Sequence, residues 1–88
     1  MQLNEAYQKT KEEILNHPSI KHDINSAILS LQESTTKVWQ AVENNQQDKI
    51  NSRVTNTLIS VFYLMQELNI TDPEKCLMNE FEELKKIT

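Results

Sequence analysis

The chain has 88 residues, a formal net charge of −4 and no glycine, which bounds it to one folding unit with a modest core. The missing glycine removes phosphate-cradling loops, dinucleotide turns and most β-hairpin turns, because these need backbone angles that glycine adopts without steric cost. The acidic balance offers no basic stripe to displace counterions, which argues against nucleic acid and against anionic lipid as ligands.

The amino-terminal stretch has no basic region followed by an apolar run, so no export signal is read there. The longest nearly continuous apolar run, Leu58 to Met65, is far shorter than the roughly 20 residues that span a bilayer. A single cysteine, Cys76, cannot form an internal disulfide. These features together predict a cytoplasmic protein that does not insert into a membrane.

Leu3, Tyr7, Thr10 and Ile14 recur at helical spacing and predict a first helix over 3–16. Asn16-His17-Pro18 ends it, with Asn16 expected in the left-handed cap that glycine would otherwise fill. A second helix is predicted over 21–44, with Ile24, Ile28, Leu31, Thr35, Val38 and Val42 as its apolar stripe and Trp39 at the edge. Asn44 to Gln47 is a short polar reversal, and Asp48 is expected to cap a third helix over 48–69.

That third helix is the one around which the others are expected to arrange. Ile50, Val54, Leu58, Val61, Met65 and Leu68 form a continuous stripe, which is expected to be the buried face. Asp72-Pro73-Glu74 then reads as cap, first helical residue and dipole-compensating acid of a fourth helix over 73–86. Leu77, Phe81 and Leu84 are its apolar face. Four helices joined by short polar links predict an all-α, antiparallel up-down four-helix bundle, a single domain, as a monomer or weak dimer.

No catalytic, cofactor-binding or metal-ligating set is legible. His17 and His22 have no third ligand at suitable spacing. Cys76, beside Lys75 near a helix start, has no identifiable base. Glu80, Glu82 and Glu83 ahead of Lys85 and Lys86 read as a solvated face ordered to suit the helix dipole. Ile59 and Tyr63 project opposite the third helix's stripe, among Ser52, Asn56 and Gln66. They mark either a partner surface or a face covered by a neighbouring helix.

The stretch Ile14 to Ser34, ILNHPSIKHDINSAILSLQES, resembles the first link and second helix of the pediocin-like (class IIa) bacteriocin immunity proteins. Ile50, Asn51, Arg53 and Val54 are similar to the opening of that family's third helix, and Asn69 to Leu77 to its last link. The matches run in order through nearly the whole chain, on short motifs. The resemblance implies a cytoplasmic antiparallel four-helix bundle in a Gram-positive bacterium. It further implies a non-enzymatic role, without a cofactor, in recognising the mannose-phosphotransferase permease once a bacteriocin has engaged it. Because specificity in that family lies largely in the C-terminal half, it points to Tyr63, Gln66, Glu80, Glu83, Lys85 and Lys86 as partner-binding residues, with Ile59 added as the neighbour of Tyr63 on its face.

The second and third helices also resemble the core of MazG-like nucleotide pyrophosphohydrolases, whose paired helices hold magnesium through acids. Of the five positions aligned with those acids only Glu33 is one; Ser34, Lys37, Arg53 and Asn56 fill the others. One acid and two cations do not suit a hard divalent ion, so this resemblance implies a degenerate, inactive relative. A small helical adaptor or phage-encoded inhibitor of a soluble protein is a third possibility.

Overall fold

The structure, a computed structural model, describes residues 2–87. It consists of four helices, α1 (Leu3–Leu15), α2 (Ile24–Glu43), α3 (Gln47–Glu67) and α4 (Pro73–Ile87), with no strand among the described residues. The fold is an all-α helical bundle. At its centre α2 and α3 form a close antiparallel pair, with Ser60 opposite Ser30 and Ser34, and Glu67 opposite His22. α1 lies against α3, and α4 is attached to α1.

Local chemistry sets the helix ends. Asp23 caps α2, its Oδ1 accepting from the Ser26 N–H at 2.7 Å and its Oδ2 from the Ser26 hydroxyl at 2.9 Å. These bonds hold the Asp23 carboxyl below its ordinary value. Asp72 caps α4 in the same way, accepting from the Lys75 N–H at 3.1 Å, with Pro73 as the first helical residue. Asp48 is not the cap of α3. The helix begins one residue earlier with Gln46 in the cap position, and Asp48 lies in the first turn, where it only opposes the helix dipole.

Without glycine, asparagine takes the left-handed positions. Asn45 and Asn69 have φ of 52° and 61°. Each follows the last residue of a helix end closed by a pair of reversed bonds: Gln46 N–H to Ala41 O and Asn45 N–H to Val42 O after α2, and Ile70 N–H to Met65 O and Asn69 N–H to Gln66 O after α3. Asn16, expected to do the same, keeps φ −81°. α1 ends instead in a tighter turn with the His17 N–H on Ile14 O, ahead of Pro18.

α1 buries Tyr7 and Ile14 as its periodicity indicates, but the buried faces of α2 and α3 differ from their stripes. α3 buries Ser60, Phe62 and Tyr63, while Leu58, in the middle of the expected core stripe, is 49% exposed. α2 buries Ala27 and Ala41 and leaves Ile24, Ile28 and Val42 exposed. The reason is steric. Ala27, Ser34 and Ala41 lie seven apart on one side of α2, and Ser34 of that row meets Ser60 of α3. Helices meeting through small residues approach closely, and their larger apolar neighbours are then carried to the flank. The Ser30 and Ser34 hydroxyls reach Ser60 Oγ at 3.2 and 2.6 Å, so the polar atoms in this contact are satisfied.

α1 docks through aromatic and polar contacts. The rings of Tyr7 and Phe62 meet edge to face at 5.4 Å, and the Tyr7 hydroxyl donates to Ile70 O at 2.6 Å. Ile14, Ala27 and Tyr63 form a buried cluster with Ile20 and Leu64 packed on it. α4 is held at its start. Asn4 and Glu74 exchange bonds: the Asn4 N–H donates to Glu74 Oε1 at 2.8 Å, and the Glu74 N–H donates to Asn4 Oδ1 at 3.2 Å. Asn4 Nδ2 also donates to Asp72 Oδ1 at 3.0 Å. Beyond Glu74 every described residue of α4 is exposed, including Leu77, Phe81 and Leu84, which were expected to face a core.

Candidate functional site

The α2–α3 pair presents two unlike sides. On one, Thr35 and Val38 of α2 face Val54 and Thr57 of α3 across a shallow groove of about 210 Å³. The apolar surface continues along α3 through Leu58 and Val61 into a second groove of about 310 Å³, closed by Met65, Phe62 and Leu77. Ile28, Val42 and Trp39, the last 64% exposed, extend it along α2. The stripes of α2 and α3 are only partly covered: Leu31, Val38, Ile50, Val61 and Met65 are half-buried, and Ile24, Ile28, Val42, Val54, Leu58 and Leu68 stay exposed.

On the other side, Ser34, Lys37, Arg53, Asn56, Ile59 and Ser60 line a cavity of about 200 Å³. Four of the five positions aligned with the pyrophosphohydrolase acids thus come together between the two helices. Glu33, the surviving acid, is not among them; it borders a depression on the outer side of α2. The cavity has two cationic side chains and no carboxylate in its lining, a set that favours an anion over a metal. Among the described residues no three His, Cys, Asp or Glu side chains are placed to hold a metal ion.

The residues singled out from the sequence do not gather into one patch. Tyr63 is not a surface residue. It is 8% exposed, packed against Ile14 and Ala27, and its hydroxyl donates to Lys21 O. Burial raises its pKa, with the nearby Glu67 and Asp23 carboxylates adding to the effect. Gln66 is half-buried and donates to Tyr7 O at 3.3 Å. Both therefore hold α1 and the α1–α2 link in place. Ile59 is exposed on the Lys37/Arg53 side, whereas Glu80 borders the apolar groove on α4. Lys85 and Lys86 reach Glu82 and Glu83 at 3.2 Å in exposed pairs along α4. Cys76 is exposed near the start of α4. The nearby Tyr7 phenol is raised by burial first and by this thiol second.

Apolar periodicity passes over Trp39 as a surface residue and over Ser34 and Ser60 as the contact between α2 and α3. The signal for the last two is the repeat of small side chains at 27, 34 and 41, which the larger stripe beside it masks.

Fold and surface together define a small helical protein with one broad uncovered apolar face and a cationic cavity behind it. No helix among the described residues is long and apolar enough to cross a membrane. No protein-family model, no curated protein and no solved structure matches the chain.

Proposed function

We propose that the chain acts by binding protein, not by catalysis, and that it is an immunity protein of the pediocin-like type. In this reading it meets the bacteriocin-engaged mannose-phosphotransferase permease from the cytoplasmic side. The observation that supports a binding role is the apolar face: large aliphatic side chains stand exposed and contiguous over two helices, and monomeric proteins seldom leave such a face uncovered. The immunity role rests on the motifs from Ile14 to Ser34, from Ile50 to Val54 and from Asn69 to Leu77. These fall on the α1–α2 link and α2, the opening of α3, and the α3–α4 link.

The test is to express the chain in a bacteriocin-sensitive Gram-positive strain and challenge it with a panel of pediocin-like peptides. Protection against at least one peptide, with the chain capturing the permease only when that peptide is present, is the expected result. Unchanged killing across the panel refutes the immunity role.

A second reading has one observation in its favour, the convergence of Ser34, Lys37, Arg53 and Asn56 on one cavity. It makes the chain a degenerate relative of the MazG-like enzymes that keeps the cleft without its acids. Magnesium-dependent release of pyrophosphate from nucleoside triphosphates is the discriminating assay, and clear turnover there overturns the non-enzymatic proposal.

A further inference from the structure

We infer that the cavity between α2 and α3 binds one phosphate group, free or carried as a monoester, through Lys37 and Arg53. The site stands apart from the apolar face proposed above for protein binding. Charge leads to it. The chain has 13 acidic residues against 9 basic ones, so carboxylates to pair with are in excess. Yet among the described residues neither Lys37 nor Arg53 makes an ion pair. Lys37 also borders the depression that Glu33 lines on the outer side of α2, but no ion pair joins the two. Arg53 is half-buried, and none of its unpaired nitrogens is sealed from solvent. A guanidinium taken partly out of water without an acceptor costs free energy, which a bound anion offsets.

Size and charge select the ligand. α2 and α3 run antiparallel, so Ser34, bonded to Ser60 at 2.6 Å, lies towards one end of the cavity. Lys37 follows about one turn along α2, and Asn56 and Arg53 precede Ser60 by about one and two turns of α3. Two cations, an amide and two hydroxyls thus line about 200 Å³ from both helices, with no carboxylate among them. That volume is below the roughly 300–1,000 Å³ of a pocket for a drug-sized molecule, so it seats a small group. A phosphate monoester carries about −1.5 to −2 near neutral pH and offers three strong acceptor oxygens. Its charge balances both cations, and its oxygens suit the planar fork of Arg53. A carboxylate, with a single charge, leaves one cation unbalanced. A nucleic-acid strand needs a longer run of cations than the two that line this cavity. The net charge of −4 repels anions at a distance, so affinity must come from the cavity's own groups.

The experiment is isothermal titration calorimetry on the full chain, in a phosphate-free buffer of low ionic strength near neutral pH. The titrants are inorganic phosphate, phenyl phosphate and acetate. At least one of the two phosphates should bind one to one with a Kd of about 1 mM or tighter, and acetate at least about tenfold more weakly. Tighter binding of inorganic phosphate assigns the site to the free ion; tighter binding of phenyl phosphate assigns it to a monoester whose body rests on Ile59, the apolar part of the lining. Lys37→Gln and Arg53→Gln should each weaken the tighter phosphate about tenfold or more, with the helical circular dichroism retained. Lys9→Gln, the same charge change on the exposed side of α1, should leave binding unchanged. If Arg53→Gln loses helicity, Lys37→Gln, at an exposed position, decides the matter. The inference is overturned if neither phosphate saturates, if acetate binds as tightly, or if the folded cavity variants bind like the parent. A loss in Lys9→Gln equal to theirs overturns it too, because net charge would then account for the binding.

Discussion

Ser60 distinguishes the observed packing from the packing that apolar periodicity suggests. If α3 buried its stripe of large side chains, Ser60 would lie off that face and an apolar replacement would cost little. In the structure Ser60 is 6% exposed and its hydroxyl shares hydrogen bonds with Ser30 and Ser34 across the α2–α3 contact. Ser60→Ala removes these hydroxyl contacts without adding bulk. Since Ser30 and Ser34 are only half-buried and can turn to water, the loss should be about 1 kcal/mol, or about 4–8 °C in Tm for a domain of this size. Ser60→Leu removes the same contacts and forces a branched side chain between two helices spaced for alanine and serine. Overpacking adds about 1–3 kcal/mol, for a total near 3 kcal/mol and a drop of about 12–24 °C. Thermal and urea melts at one fixed protein concentration measure both, since self-association would make Tm depend on concentration. A Ser60→Leu protein that melts with the parent, or above it, would show that α2 and α3 do not meet at this position.

Tyr7→Phe keeps the edge-to-face contact with Phe62 and removes the bond to Ile70 O, so urea denaturation should show a loss of about 1 kcal/mol; an unchanged midpoint would mean that α1 is not tied to the α3–α4 link in this way. Acid sensitivity should reside partly in Asp72, whose carboxyl is held below its ordinary value of 3.8 by the Asn4 amide first and the Lys75 N–H next. A depressed folded-state value means that its stabilising contribution is complete above that ordinary value and is lost as pH falls through the lower one. The gap in Tm between the parent and Asp72→Asn should therefore be constant near neutrality and narrow below pH 3.8, and a gap that persists unchanged into strong acid would contradict this assignment.

The existence and rough extent of all four helices were legible because each carries an apolar repeat bounded by Asn, Asp or Pro. The cap at Asp72 was legible because a short acceptor precedes a proline in the first helical position, whereas the cap at Asp23 was hidden by a helix start read too early, at residue 21. The buried face of α1 was legible as well, since Tyr7 and Ile14 of its stripe are the residues it buries, but those of α2, α3 and α4 were not. Periodicity reveals which side of a helix is apolar, and that side need not be the one its neighbour within the chain covers. At the α2–α3 contact Ser34 and Ser60 prevailed by allowing close approach, a steric property that hydropathy does not register. For Tyr63, lying among polar residues on α3, the sequence left a partner surface and a covered face both open; it is covered, packed on Ile14 and Ala27, with its hydroxyl donating a hydrogen bond to Lys21 O. The convergence of Ser34, Lys37, Arg53 and Asn56 was legible only through the resemblance to a two-helix enzyme core.

The Asn4–Glu74 exchange has a practical bearing on handling the molecule. The first turn of α1 and the first turn of α4 are stitched together, although 70 residues separate the two partners along the chain. A bulky tag fused close ahead of α1 therefore falls near Asn4 and its partners Asp72 and Glu74, whereas a fluorophore or affinity handle on the last turn of α4 leaves that stitch untouched.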